Sequence, residues 1–190
     1  MIFLFVTNIF GVKVRLCFSF FAVIALTCLL GGAGSEKMLI MLACCCLHES
    51  GHIAAMLICG CKPTVLTFYG AGIMLTPGKH LSSFAKDAFI LASGCAVNFL
   101  LAFASCLAAG ELNFFAQVNL LLGGFNLLPV GFLDGGKLLD LALDGAKAKA
   151  VKIGFSLLVA ALAVTAAVLE GFSVSLMCVL GYMCLSIFEA

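Results

Sequence analysis

The sequence predicts an all-α polytopic membrane protein with about six transmembrane helices and a small membrane-associated β element. The first observation is the composition: 64% of the residues are hydrophobic and only 10% are charged, whereas soluble domains carry about 25% charged residues. The second is a succession of long apolar segments. The third is a pair of short segments with the composition of strands.

Six apolar segments approach the length that a bilayer requires, which is roughly 20 residues per helix. They cover residues 16–33, 38–58, 88–109, 112–133, 150–169 and 171–188. The connections between them are short, so we expect residues 1–190 to form a single membrane domain. The first segment follows Lys13 and Arg15 and could imitate a secretory signal, but several further spans follow it and we expect it to be retained.

Basic residues mark one side of the predicted membrane domain. They precede the first segment and lie between the second and third and between the fourth and fifth, at Lys13, Arg15, Lys62, Lys79, Lys86, Lys137, Lys147, Lys149 and Lys152, whereas the other side has only Lys37. Lys and Arg favour cytoplasmic loops, so we expect a multi-pass protein of the cell membrane with both termini in the cytoplasm. The net charge of +1 and the lack of a dense basic run exclude a nucleic-acid partner.

Two short segments do not have the pattern of a helix. Residues 12–16 alternate apolar and charged side chains, and residues 64–69 are rich in β-branched and aromatic side chains before a turn-prone Gly-Ala-Gly. We predict that they form strands and could pair. Backbone of this kind at a membrane must be covered by protein or line a wet cavity, because lipid cannot satisfy its polar groups.

The second apolar segment contains His48-Glu49-Ser50-Gly51-His52, an H-E-x-x-H motif. Histidines at positions i and i+4 project from one helix face and can bind one Zn²⁺, while the adjacent glutamate can act as the general base. A chance match or an interhelical hydrogen-bonding pair is the structural alternative. Ionisable groups inside a span are costly and are usually functional, which favours the metal site.

A catalytic zinc site usually has three protein ligands, so a further ligand must come from elsewhere. His80 is one candidate, although its polar surroundings, Pro77-Gly78-Lys79-His80, are typical of a solvated loop. Asp134 is better placed at the end of the fourth segment, because Pro129 interrupts a helix and Gly135 and Gly136 permit a close turn. The alternative for Asp134 is a cap on the following helix.

Two motifs together resemble the site-2 protease family of intramembrane zinc metalloproteases. They are H-E-S-G-H at 48–52 and N-L-L-P-V-G-F-L-D-G-G at 126–136, in the family's order and on separate segments. The resemblance implies that His48, His52 and Asp134 bind one Zn²⁺ and that Glu49 is the catalytic base. At this length we expect neither an inserted PDZ domain nor a C-terminal CBS domain. In this respect the chain resembles the compact branch of the family that includes the sporulation protease FB.

Two asparagines also match elements of this family. Asn98 ends S-G-C-A-V-N at 93–98, which resembles the Gly-Pro-x-x-Asn element but has Cys95 where proline is common. It could contact substrate or make an interhelical hydrogen bond. Asn126 corresponds to an active-site asparagine that could contact the substrate carbonyl or an oxyanion, and a helix-end hydrogen bond is its alternative.

The expected function is that of a zinc metalloendopeptidase that hydrolyses peptide bonds in or near transmembrane segments of membrane-embedded or membrane-tethered substrates. A divalent-metal transporter and a catalytically silent membrane binding protein are the alternatives. Cys44, one turn before His48, could offer a thiolate, although helix packing is the simpler interpretation. An extended substrate would have to be held, and we expect the segment of residues 64–75 to clamp it by strand addition at its unpaired edges, with Phe68, Tyr69 and Gly70 as the clamp residues.

Overall fold

A computed structural model of the chain describes residues 3–9, 11–18, 21, 25, 35–69, 72–77, 83–131 and 133–170. Within these ranges the strands are β1 (Phe3–Ile9), β2 (Val12–Cys17), β3 (Pro63–Tyr69) and β4 (Gly72–Pro77). The helices are α1 (Ser35–Ile58), α2 (Phe84–Ala109), α3 (Phe114–Asn126), α4 (Asp134–Ala142) and α5 (Gly145–Glu170). The predicted class, a helical protein with a small β element, is therefore correct.

The strands form one four-stranded sheet in the order β1-β2-β3-β4. The predicted pairing is confirmed: β2 and β3 are parallel, with Lys13 opposite Val65 and Leu16 opposite Phe68. Parallel neighbours need a crossover connection, and α1 lies in the connection between these two strands. The sheet also has outer strands on both sides, because β1 pairs antiparallel with β2 and β4 pairs antiparallel with β3. We did not predict β1, whose turn into β2 contains Gly11 at φ +84°.

Among the described residues, two helices have the length and composition of membrane spans. These are residues Glu36–Ile58 of α1 and Phe84–Ala109 of α2, and only 28% of each apolar window is buried. Large apolar side chains on α2 are exposed, among them Leu100 at 67% and Phe103 at 65%. Exposed apolar surface on a long helix fits insertion into lipid. The predicted second and third spans thus correspond to helices, whereas the full set of six stays a prediction.

The predicted fourth span, residues 112–133, is wrong as a continuous helix. α3 ends at Asn126, and the following residues form tight turns in which Leu128 N–H donates to Phe125 O and Leu133 N–H donates to Val130 O. The residue before a proline avoids helical backbone angles, which explains why the helix stops ahead of Pro129. The predicted fifth span falls within α5, while the sixth and most of the first lie outside the described residues.

Contacts divide the chain into two compact units, Met1–Gly124 and Phe125–Ala190. The first contains the sheet, α1, α2 and most of α3. In the second, Val130 and Leu133 form a small apolar core with α5 residues that include Phe155 and Val159. Helices α4 and α5 are also joined by an ion pair at 2.8 Å between Asp140 and the buried Lys152. The prediction of a single domain remains a prediction.

Candidate metal centre

Helix α1 places the H-E-x-x-H motif on a face that packs against α2. His48 and His52 are buried, with 4% and 7% exposure, whereas Glu49 is half-buried. The four-residue spacing puts both imidazoles on the same side of the helix, one turn apart. Their ring centroids are 4.8 Å apart and the planes are nearly perpendicular.

A hydrogen bond fixes the orientation of each imidazole. His52 Nδ1 lies 2.7 Å from the backbone oxygen of Ile90. Because a carbonyl oxygen can only accept, Nδ1 carries the hydrogen and donates it, which leaves a lone pair on Nε2. His48 Nδ1 lies 2.6 Å from Asn98 Oδ1. If Nδ1 donates its hydrogen to this oxygen, the Nε2 atom of His48 also has a lone pair.

The two Nε2 atoms face each other at 3.1 Å. Neutral imidazoles with hydrogens on Nδ1 have no hydrogen to place between these atoms, so two lone pairs point into the same space. That arrangement is unfavourable without a cation between them. Zn²⁺ would relieve it, since its bonds to histidine nitrogen are about 2.0–2.1 Å long and metal-bound histidines usually donate their other N–H to an oxygen.

Glycines keep α1 and α2 close at this point. A Cβ on Gly94 would lie 2.6 Å from His52 Cε1 and 2.8 Å from His48 Cε1, and both separations are too short for carbon atoms that are not bonded to each other. A Cβ on Gly51 would lie 2.8 Å from the backbone oxygen of Ser93. Small residues that allow helices to approach are typical of membrane packing. A side chain at position 94 would displace the histidine rings, so their observed positions require glycine there.

In the second unit, Asp134 is the first residue of α4 and is 6% exposed. The N-cap position is Leu133, so Asp134 lies in the first turn rather than at the cap itself. The preceding turn folds back onto the helix, so that a Cβ on Gly135 would collide with the backbone of Leu127 and a Cβ on Gly136 with that of Val130. The prediction that the glycines allow a close turn is confirmed by these contacts.

Three buried residues offer donor atoms that could hold a metal ion: His48 and His52 in the first unit and Asp134 in the second. Two imidazoles and one carboxylate match the usual ligand set of a catalytic zinc site, so the donor chemistry fits. The competing ligand His80 lies outside the described residues. Cys44 is fully buried, and its sulfur accepts a hydrogen bond from Asn119 Nδ2 at 3.1 Å.

The asparagines of α2 and α3 hold the first imidazole in place. Asn98 is fully buried. Its Oδ1 accepts a hydrogen bond from His48, and its Nδ2 donates one to Asn119 Oδ1 at 2.8 Å. These contacts are the interhelical hydrogen bonds that the sequence offered as the alternative to substrate contact. We did not predict a role for Asn119, and its only sequence signal is a polar side chain within an apolar helix. Asn126 is the last residue of α3, and its contact with a substrate stays a prediction.

Two of the predicted clamp residues, Phe68 and Tyr69, lie on β3, and residues 72–75 of the predicted hairpin segment lie on β4. Phe68 is opposite Leu16 of β2 and opposite Ile73 of β4, so β3 is an inner strand. Tyr69 is opposite Gly72, and Gly70 lies outside the described residues. The outer strand of this hairpin is β4, which contacts α1. A substrate strand would have to join β4 rather than β3.

The fold and the donor group together define a helical protein with apolar, membrane-length helices and a candidate H-E-x-x-H metal centre. Residues 109–169 match the family model described as Peptidase family M50. The fold is similar to that of "Site-2 Protease from Methanocaldococcus jannaschii", with a TM-score of 0.68 and 20% identity over 99% of this chain and 92% of that one. No curated protein matches the chain significantly.

These two matches confirm the resemblance to the site-2 protease family that the motifs indicated. The M50 match contains Asp134 and supports a peptidase of metallo type. It begins at residue 109, the last residue of α2, so the H-E-x-x-H motif of α1 is an independent observation. Placement within the compact sporulation-protease branch stays a prediction.

Proposed function

We propose that the protein is an intramembrane zinc metalloprotease that hydrolyses peptide bonds in or near transmembrane segments of other proteins. The observation that carries this proposal is that the Nε2 atoms of His48 and His52 lie 3.1 Å apart, beside Glu49, on a helix of membrane-spanning length. The hydrogen bonds to Ile90 and Asn98 explain why both rings present Nε2. A metal centre with an adjacent carboxylate is the arrangement required for hydrolysis.

In this proposal His48, His52 and Asp134 hold one zinc ion per chain. A bound zinc ion would supply Lewis-acid chemistry at the scissile carbonyl. Glu49 takes a proton from the attacking water and returns it to the leaving amine, as a general base and then a general acid. The carboxylate of Asp134 offsets part of the metal's charge in buried surroundings, and Asn126 steadies the substrate carbonyl.

The proposal is tested by proteolysis with the purified protein and a panel of single-span substrates in detergent. We expect cleavage within or beside the span, loss of cleavage after chelation, and recovery when about one zinc per chain is restored. Cleavage that continues in protein shown to contain no metal would contradict the proposal. Metal uptake into liposomes without proteolysis would favour the transporter, and neither activity would favour a silent binding protein.

A helical substrate hides its peptide carbonyls in hydrogen bonds, so a local extended conformation is required before hydrolysis. We propose that a substrate segment adds as a strand to β4, the outer strand that contacts the motif helix α1. Strand addition would satisfy backbone groups on both partners, which matters most where water is scarce. Phe68 and Tyr69 then support the clamp from the neighbouring inner strand instead of pairing with the substrate.

We expect single cysteines at residues 73–76 of β4 to crosslink to substrate residues that flank the cleavage site. The host should be a cysteine-depleted Glu49→Gln variant, so that the trapped substrate is not cleaved. Alternate positions should react most strongly, because successive side chains of a strand face opposite sides. The matched control is β1, whose exposed Leu4, Phe5 and Val6 lie on the other outer strand. Crosslinks at β1 but not at β4 would show that the substrate binds at the opposite edge of the sheet, and would contradict this proposal.

A further inference from the structure

Asn119 belongs to a chain of side-chain hydrogen bonds that ends on a candidate metal ligand. Its Oδ1 accepts from Asn98 Nδ2 at 2.8 Å, and Asn98 Oδ1 accepts from His48 Nδ1 at 2.6 Å. At its other end Asn119 Nδ2 donates to the backbone oxygen of Phe115 at 2.9 Å and to Cys44 Sγ at 3.1 Å. Both asparagines have 0% exposure, so water does not compete for these bonds.

The direction of the whole chain is set at its far end. The carbonyl oxygen of Phe115 can only accept, so the atom of Asn119 that faces it must be the nitrogen. The oxygen of Asn119 then faces Asn98, which must present its own nitrogen there. That leaves the oxygen of Asn98 toward His48, whose Nδ1 must carry the hydrogen. A backbone carbonyl on α3 thus selects the tautomer of a histidine on α1.

We propose that Asn119 is a positioning residue, which through Asn98 keeps the Nε2 lone pair of His48 available for a metal ion. The inference rests on the proposed metal site but concerns a residue that does not touch it. If the amide of Asn98 turned over, its nitrogen would face Nδ1, and His48 would have to accept there and carry its hydrogen on Nε2. A protonated Nε2 cannot bind a metal.

Without Asn119, the reversed amide of Asn98 loses its main disadvantage. An apolar side chain at position 119 leaves Asn98 Nδ2 without an acceptor, which costs about 1–3 kcal/mol for a buried donor. Turning the amide would give this nitrogen an acceptor in His48 Nδ1 but leave the oxygen without a donor, so one hydrogen bond is still lost. It would no longer bring two oxygens into contact. Both tautomers of His48 should therefore be populated. Loss of an outer partner of a metal ligand typically lowers metal affinity about 10–100-fold.

The test combines ¹⁵N NMR of the imidazoles in metal-free protein with zinc affinity. The chain has only three histidines, so resonances can be assigned from single His→Gln variants. In the wild type we expect the hydrogen of His48 on Nδ1. In Asn119→Leu we expect a mixture of tautomers and a zinc affinity about 10–100-fold lower. Asn119→Asp retains an oxygen toward Asn98 and should recover the wild-type tautomer.

The matched controls are Ser105→Ala and Asn113→Leu. These residues also form side-chain hydrogen bonds between α2 and the start of α3, with Asn113 Nδ2 donating to Ser105 Oγ at 2.9 Å. They lie away from Asn98, so both variants should keep the tautomer and the affinity. A similar loss of affinity in the controls would show that general loosening of α2 and α3 is the cause, and would overturn the inference.

Two results would overturn it directly: a hydrogen on Nε2 of His48 in the metal-free wild type, or an unchanged tautomer and affinity in Asn119→Leu. If that variant does not fold, Asn119→Ala makes the same deletion with a smaller side chain and is held to the same outcomes. The tautomer is measured without metal, so it can shift as expected even in a protein that binds no zinc. A shift of the tautomer in a protein that binds no zinc would reject the proposed function and leave the positioning role of Asn119 intact.

Discussion

Glu49→Gln is expected to abolish most peptide hydrolysis while the protein still binds one zinc ion. The substitution preserves the size of the side chain and leaves both histidines unchanged, so the metal donors remain. It removes the carboxylate that takes the proton from water, and loss of a general base typically costs about 10²–10⁴-fold in rate. Turnover of a single-span substrate and zinc content should be measured on the same preparation.

The matched control is Glu36→Gln, the same chemical change in the first turn of the same helix. Glu36 is exposed and far from the motif, so its variant should retain wild-type turnover. Near-normal cleavage by Glu49→Gln would reject Glu49 as the base. Loss of zinc together with activity would instead show that the carboxylate helps to bind the metal.

Asp134→Ala is expected to lower zinc content and hydrolysis together. Removal of a ligand should weaken zinc binding by more than the roughly 10–100-fold that an outer partner contributes. Asp134 is buried at the start of α4, and its ion pair with the exposed Lys137 is long, at 3.6 Å. A pair of that kind contributes about 0–1 kcal/mol, so its loss alone should not unfold the protein. Zinc titration and thermal unfolding separate the two effects.

Two controls accompany this prediction. Asp144→Ala removes a carboxylate that is 87% exposed and paired with Lys147 just before α5, and should leave zinc content unchanged. His80→Ala tests the competing ligand suggested by the sequence. If the site empties in His80→Ala but remains filled in Asp134→Ala, the third ligand has been assigned to the wrong residue.

Local signals in the sequence were sufficient for the motif helix and for part of the sheet. The i and i+4 spacing of His48 and His52 needs only helical geometry, and α1 spans Ser35–Ile58 where residues 38–58 were expected. Alternation in residues 12–16 and β-branched residues in 64–69 likewise predicted β2 and β3. These patterns depend on neighbours in the sequence, which is why they could be recognised without a fold.

Features that depend on distant partners could not be predicted. Strand β1 is a short apolar run, FLFVTNI, which periodicity does not distinguish from a helix segment. The inner position of β3 required the pairing partners on both sides. Asn119 contacts Asn98, 21 residues away, and Cys44, 75 residues away, so no local motif reveals it. The early end of α3 had a local signal in Pro129, which was recognised as an interruption, whereas the bounds of the segment followed the apolar composition of residues 112–133.

X-ray absorption at the zinc edge of the purified wild-type protein tests the central claim most directly, because it reports the atoms bound to the metal. We expect two imidazoles at about 2.0–2.1 Å, oxygen at about 2.0–2.2 Å and no sulfur. This result would match His48, His52 and Asp134 with an open position for water. A sulfur neighbour at about 2.3 Å, or fewer than two imidazoles, would contradict the proposed metal centre.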